Sequence, residues 1–318
     1  MEEKLRSIER DHGVFLRSEA RDLGHDDKAI ANAVRWKLWH RVRHGAYCHS
    51  DTWAAADRVE RHRILAQAVM RSLTGRVALS HVSALVVHGL PVWGADLTKV
   101  HVTRLDGGPG RKERDVVHHE GRVVAEDLTD VGGLLVTNPQ RAALESCTIV
   151  GTESGIVIMD ALQNRDLATR EELASAAPQF EQWPGALRLQ LVLRLTDGRA
   201  ASPGESRTRY LFWTQNLPAP ELQYYVYDDR GVLVGITDFA WPSLGVLGEF
   251  DGKVKYGRLL KSGQEPGEVV FEEKNREDLL RDVTGFTMVR VVWSQLDTPA
   301  ATAARVVRRF RRPGARAV

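Results

Sequence analysis

Between Glu205 and Trp293 the apolar pattern changes period in a set order, and that order restricts the fold more than any other feature of the chain. A helical stretch at residues 205–216 is followed by extended segments around 223–227, 233–239 and 245–250. A charged helix at 272–283 and a strand at 287–293 complete the series. Helices repeat their apolar face about every 3.6 residues and strands about every 2, so each switch marks an element boundary. Helix, three strands, helix, strand predicts an α/β sheet domain.

Acidic residues sit at informative places in this series. Asp238 ends the strand Ile236-Thr237-Asp238-Phe239-Ala240. Glu249 and Asp251 lie two apart on the next strand and so point to one face. Ten residues separate Asp238 from Glu249, enough for a hairpin that brings the carboxylates together near the strand ends. Glu205 opens the preceding helix. Carboxylates converging on an apolar sheet repel one another unless a cation is present. A hard, oxygen-seeking ion, Mg²⁺ or Mn²⁺, would neutralise them and activate water against a phosphodiester. Local readings stand beside this one. Ser202-Pro203-Gly204-Glu205 is a capping-box pattern, Asp238 precedes a Phe-Ala-Trp-Pro turn sequence, and Asp251-Gly252 is a favoured hairpin pair.

The spacing D-x10-E-x-D with an upstream helical glutamate resembles the PD-(D/E)XK nuclease superfamily, most closely its very-short-patch-repair-like branch. The segments that carry the likeness are SPGESRTRYLFW, ITDFAWP, GEFDGKVKY and EKNREDLLRDVTGFTMVRVVW. The resemblance implies a restriction-endonuclease-like domain in which Asp238, Glu249 and Glu205 hold the metal. The lysine usual two positions after the glutamate is replaced by Asp251, which leaves Lys253, Lys255 or Lys274 to stabilise developing charge. Arg207, Arg209, Arg276 and Arg281 are expected mainly as solvated residues or helix-surface pairs.

At the other end, residues 1–50 read as three short helices and a small hairpin. Leu5 and Ile8 mark the first apolar face. Residues 15–23 form a second helix with Gly24 as its C-cap. Asp26 or Asp27 caps a third that runs through Ala29, Ile30, Val34 and Leu38. Gly45 turns the hairpin. From Lys28 to Ser50 there are five Lys/Arg and no acid. A helix carrying Lys28, Arg35, Lys37, Arg41 and Arg43 fits a recognition helix that neutralises phosphates and reads guanine edges, with Trp36 and Trp39 turned into the core. A solvated helix face is the alternative.

The stretches GVFLRSEARDLG and IANAVRWKLWHRVRHGAYCH resemble the winged-helix domain of AbiEi-type antitoxins and related actinobacterial proteins. ALSHVSALVVHGLPVWG and VTNPQRAALESC are similar to segments that follow that domain. The likeness covers about the first half of the chain and implies DNA binding.

The middle region contributes no further chemistry on this reading. It should hold a long helix at 52–73 and a helix from His81 to His88 ended by Gly89 and Pro91. Strands follow at 99–104 and 114–119, then a helix opened by Asn138-Pro139, then helical segments at 156–162, 170–176 and 186–195. His118 and His119 are adjacent on a strand and face opposite ways, which argues against a shared metal. Ser80, His81 and Ser83 lack a nearby acid and read as helix-start residues. No Walker loop or dinucleotide fingerprint is present.

With 318 residues the chain has room for two or three domains, and its net charge of +2 does not by itself select a partner. The two cysteines, Cys48 and Cys147, form no CxxC pair, which excludes a zinc ribbon and suits a reducing cytoplasm. The charged N-terminus is no secretory signal, and no apolar run reaches membrane-span length. The expected organisation is therefore an α/β multidomain protein. It comprises a winged helix-turn-helix at 1–50, a middle α/β region at 51–198, a nuclease-like domain at 199–296 and a disordered arginine-rich tail at 297–318. The expected activity is metal-dependent endonucleolytic cleavage of DNA in defence or repair, with a protein partner or homodimer possible. A non-enzymatic regulator or antitoxin on a degenerate nuclease fold is the competing expectation.

Overall fold

A computed structural model of the chain describes residues 1–73, 75–252 and 266–310, with side chains described from residue 275 in the last stretch. Lys253 and Lys255, and the side chain of Lys274, lie outside the described residues. The protein is a multidomain α/β chain with several sheets. It divides into two compact units: Met1–Ile158 with Asp166–Leu193, and Met159–Arg165 with Arg194–Val318.

The first unit opens with α1 (Glu2–His12), β1 (Phe15–Leu16), α2 (Arg17–Asp22), α3 (Asp27–Arg35), β2 (Trp39–Arg43) and β3 (Ala46–His49). The three strands form an antiparallel sheet in the order β1-β3-β2. Gly45 turns the β2–β3 hairpin at φ 77°, a left-handed conformation that glycine adopts freely. Asp26 caps α3 by accepting from the Ala29 amide at 2.7 Å. The expected helix at 15–23 begins later, because Phe15 and Leu16 pair with Tyr47 and Ala46.

The expected third helix also ends early, at Arg35. Lys37 takes a positive φ of 56° and turns the chain into β2. That reversal overturns two expectations. Arg41 and Arg43 lie on a strand, not on the helix with Lys28 and Arg35. Trp36 is 71% exposed, whereas Trp39 is 2% exposed and packs edge-on to Phe15 at 4.8 Å.

Next come α4 (Ser50–Ala55) and α5 (Arg58–Ser72). The helix expected as one piece breaks at Ala56–Asp57, where Asp57 caps α5 through the Val59 and Glu60 amides at 2.8 and 2.9 Å. Ile64 and Ala68 of α5 share a buried cluster with Val14, Ala46 and Cys48, so the hairpin's core continues past residue 50. The unit then holds β4 (Val77–Leu79), α6 (His81–Val87), β5 (Val100–Arg104), β6 (Arg111–Lys112), β7 (Val116–His119), β8 (Leu128–Val131) and β9 (Leu134–Thr137). These strands form one mixed sheet in the order β6-β7-β5-β4-β9-β8. Helices α7 (Pro139–Ile149), α8 (Thr152–Asn164), α9 (Arg170–Ala176) and α10 (Ala186–Leu195) follow. Asn138 caps α7 and Pro139 occupies its first position, as the sequence predicts.

The second unit keeps the expected element order: α11 (Pro203–Thr214), β10 (Glu221–Tyr227), β11 (Leu233–Trp241), β12 (Val246–Asp251), α12 (Pro266–Thr284) and β13 (Thr287–Val292). The sheet runs β10-β11-β12-β13; β12 and β13 are parallel, the other pairs antiparallel. Phe212 of α11 meets Phe239 and Trp241 edge-on, at 5.5 and 5.1 Å, in the core on that side of the sheet.

Two short helices, α13 (Trp293–Leu296) and α14 (Pro299–Val307), close the described chain. They correct the expectation of a disordered tail from 297. Ala303 and Val306 are buried with Leu211 and Phe212, and Arg305 donates to the Arg290 carbonyl at 2.6 Å. The alanine-rich run supplies both helix propensity and an apolar face, which outweigh the repulsion among the arginines. Arg308 and Arg309 remain exposed; Arg311 and Arg312 lie outside the described residues.

Candidate functional site

Three sheet residues and one helix residue build the candidate site of the second unit. Glu205 stands in the first turn of α11. Its amide donates to Ser202 Oγ at 3.2 Å, and its carboxylate accepts from Ser202 Oγ at 2.7 Å and from the Ala201 amide at 2.9 Å. The capping role expected of this glutamate is therefore real. The same carboxylate also faces the sheet, where Gln223 Nε2 donates to it at 3.1 Å. Gln223, held at a positive φ of 49°, also stands beside Asp238, between the register pairs Leu222↔Phe239 and Tyr224↔Thr237, and favours its ionised form. One amide thus lies next to two acids, and sequence reading did not single it out.

Asp238 lies on β11, not in a turn, and accepts the Phe250 amide at 2.7 Å. Burial pushes its carboxyl up to about 6; the Glu205 charge adds to the rise, while the Phe250 amide, Arg276 and Gln223 oppose it. Glu249 and Asp251 do share a face of β12. Both reach Arg290 of β13, at 3.7 and 3.8 Å. Glu249 is nearly fully buried and pairs closely with Arg276 of α12. Arg290 was also missed. It comes from a strand paired in register with β12 (Glu249↔Arg290), a relation invisible before the sheet order is known.

All the donors here are oxygens, the kind a hard divalent cation takes. The pair of half-buried Asp238 and buried Glu205 carries the like-charge cost such an ion relieves, so the residues suit Mg²⁺ or Mn²⁺ in kind. Glu249 would have to exchange Arg276 for the metal. Among the described residues, the acids are not a three-ligand group with donor atoms within 4.8 Å of one another; that arrangement belongs to His81, His101 and His119.

The basic segment is split by the fold. Lys28 and Arg35, seven residues apart on α3, lie on one exposed face; Lys37 and Arg41 are also exposed. Arg43 is half-buried and pairs with Asp115 at 3.3 Å, so it is drawn back toward the protein. Arg207, expected to be solvated, is buried 5.7 Å from the Trp293 ring, and Arg209 pairs with Asp160 at 2.7 Å. Arg281 forms the expected helix-surface pair, with Asp278 at 3.7 Å.

No protein-family model matches the chain. It is 28% identical over 190 residues to two proteins of Mycobacterium tuberculosis, the uncharacterized protein MT2308 of strain CDC 1551 / Oshkosh and the uncharacterized protein Rv2248 of strain ATCC 25618 / H37Rv. The match covers 59% of this chain and 66% of the length of each relative. Among the described residues no helix is long and apolar enough to cross a membrane.

Proposed function

We propose that this is a DNA-binding protein whose second unit hydrolyses DNA phosphodiester bonds with Mg²⁺ or Mn²⁺. The observation that carries the reading is the placement of Asp238 on β11 across from Glu249 on β12, with Glu205 of α11 held to the same sheet by Gln223. The order helix, three strands, helix, strand is that of the α/β sheet domain in which the sequence places the nuclease-like segments. Asp238, Glu205 and Glu249 would hold the cation, which when bound supplies Lewis-acid polarisation and an ionised water. Arg276 and Arg290 supply positive charge beside the acids, suited to a phosphate in place of the missing lysine. Gln223 helps to hold the Glu205 carboxylate against the sheet.

For the first unit, three helices followed by a glycine-turned hairpin support a winged-helix reading. Lys28, Arg35, Lys37 and Arg41 would contact the phosphate backbone from α3 and the wing. Two buried free thiols suit action in a reducing cytoplasm.

A specific observation favours a second reading. Arg276 and Arg290 already neutralise Glu249 without a cation, as expected of a degenerate nuclease fold retained by a regulator or antitoxin. One experiment separates the two. Duplex, mismatched and single-stranded DNA are incubated with Mg²⁺ or Mn²⁺, beside Asp238→Ala and Glu249→Ala proteins and a chelator control. Cleavage lost in both variants while DNA binding persists supports the nuclease. Binding without cleavage on every substrate selects the regulator.

A further inference from the structure

We propose that His81, His101 and His119 form a zinc-type metal site in the first unit. The site does not depend on the acids of the second unit or on the nuclease reading.

Three elements bring the imidazoles together. His81 is the first residue of α6, directly after β4. His101 lies on β5, which pairs antiparallel with β4. His119 lies on β7, parallel to β5, with His101 opposite Val117 and Thr103 opposite His119. His101 and His119 are thus diagonal neighbours on one face of the sheet. His118 occupies the other face, 3.2 Å from Glu113. The alternation that separates His118 from His119 is what delivers His119 to the other two.

One ring nitrogen from each residue lies within 4.8 Å of the others, and His101 Nδ1 is 2.8 Å from His119 Nε2. Tetrahedral ligands about 2.0–2.1 Å from zinc sit roughly 3.3 Å from one another. The His101–His119 spacing is shorter than that value, and the other pairs lie within 4.8 Å. His81 and His119 stack with centroids 3.7 Å apart and planes 19° from parallel. Convergence on an ion therefore requires the rings to turn about χ2, which is a soft torsion for histidine.

The surroundings are those of a ligating group and not of ordinary core histidines. Elsewhere in this unit His62 and His88 each satisfy a ring nitrogen on a backbone carbonyl, of Leu97 and Thr137. His101 and His119 turn to each other instead. His81 Nδ1 lies 3.0 Å from Ser80 Oγ and 3.5 Å from Glu145 Oε2. Glu145 is fully buried and is itself held by Arg141 Nε at 2.8 Å. A carboxylate behind the non-ligating nitrogen is the arrangement that orients metal-bound histidines. His81 also carries a positive φ of 52°, a conformation that L residues hold only where the surrounding structure imposes it. An all-nitrogen donor set prefers Zn²⁺ or Co²⁺ to Mg²⁺. His101 and His119 are half-buried and not sealed in the core.

The test uses the full chain, stripped with a chelator and titrated with Co²⁺ alone, then with Zn²⁺ as competitor. Visible d–d absorption reports tetrahedral nitrogen ligation. Wild type and His118→Gln should bind one Co²⁺ and release it to Zn²⁺, with a Zn²⁺-dependent rise in unfolding temperature. His101→Gln and His119→Gln should lose the band and the rise, with circular dichroism verifying that both fold. Glu145→Gln should weaken binding about 10–100-fold. Asp238→Ala should retain the band in full. Absence of the band in wild type, or its survival in both His101→Gln and His119→Gln, overturns the proposal.

Discussion

Replacing Asp160 by alanine should destabilise the second unit more than any surface change. Asp160 is fully buried and accepts from Thr196 Oγ1 at 2.8 Å, the Asp197 amide at 2.7 Å and Arg209 Nη2 at 2.7 Å. Arg209 sits one turn after Glu205, so this pair anchors the helix that presents the candidate acid. Losing three acceptor functions at roughly 1.5–3 kcal/mol each would sum well above 4 kcal/mol. Against that stands relief of the burial that pushes the Asp160 carboxyl up despite Arg209. Breaking one side of a buried pair typically nets about 3–5 kcal/mol, because the remaining charge is stranded. With a urea slope near 2 kcal/mol/M, the midpoint should fall by roughly 2 M. Urea unfolding followed by tryptophan fluorescence measures it. The double substitution Asp160→Leu with Arg209→Met should recover most of the loss, since neither charge then needs solvation. A cost below about 1 kcal/mol for Asp160→Ala, or a double variant worse than the single one, would refute the stranded-charge argument.

Further outcomes follow from packing and exposure. Gly204→Ala places a methyl 1.9 Å from a Phe250 ring carbon; a loss of about 1–3 kcal/mol is expected in thermal unfolding, together with weaker Mn²⁺ binding as Phe250 and the Asp238 hydrogen bond shift. Trp39→Ala should cost about 3–5 kcal/mol and Trp36→Ala less than about 0.5, and the reverse order would contradict the strand assignment of residue 39. Burial pushes the Cys48 thiol up to about 12 and raises Cys147 as well. Maleimide at neutral pH should therefore label neither in the native protein and both in guanidinium, as mass spectrometry would show. If the winged-helix segment binds DNA, Arg35→Ala and Lys37→Ala should each lower the salt dependence of log K by roughly 0.9 per lost phosphate contact, while Arg43→Ala, already paired with Asp115, should change it less.

The second unit was the most legible part of the chain. Its helix, strand and helix signals come from neighbouring residues, and the boundaries held to within two positions except the start of α12, which lies six residues earlier than expected. Gly45 as a turn and Asn138-Pro139 as a helix start were legible for the same reason: backbone conformation and capping are decided within a single turn. The extent of the third helix was not. Apolar spacing carried it on to Leu38, but Lys37 turns the chain in the left-handed region, and this exposes Trp36 while burying Trp39. The tail was misread because charge was counted and the apolar face of Ala303 and Val306 was not.

The sequence by itself determined the order of elements from α11 to β13, the acids at Glu205, Asp238 and Glu249, and the opposed faces of His118 and His119, because each is a property of local periodicity. Only the tertiary structure decided that Gln223 reaches Glu205 beside Asp238, that Arg276 and Arg290 reach Glu249, and that His81, His101 and His119 meet. Those contacts depend on strand order and register, with β12 beside β13 and β5 between β4 and β7. The free energy that selects that order comes from burying whole sheet and helix faces, to which widely separated residues contribute jointly.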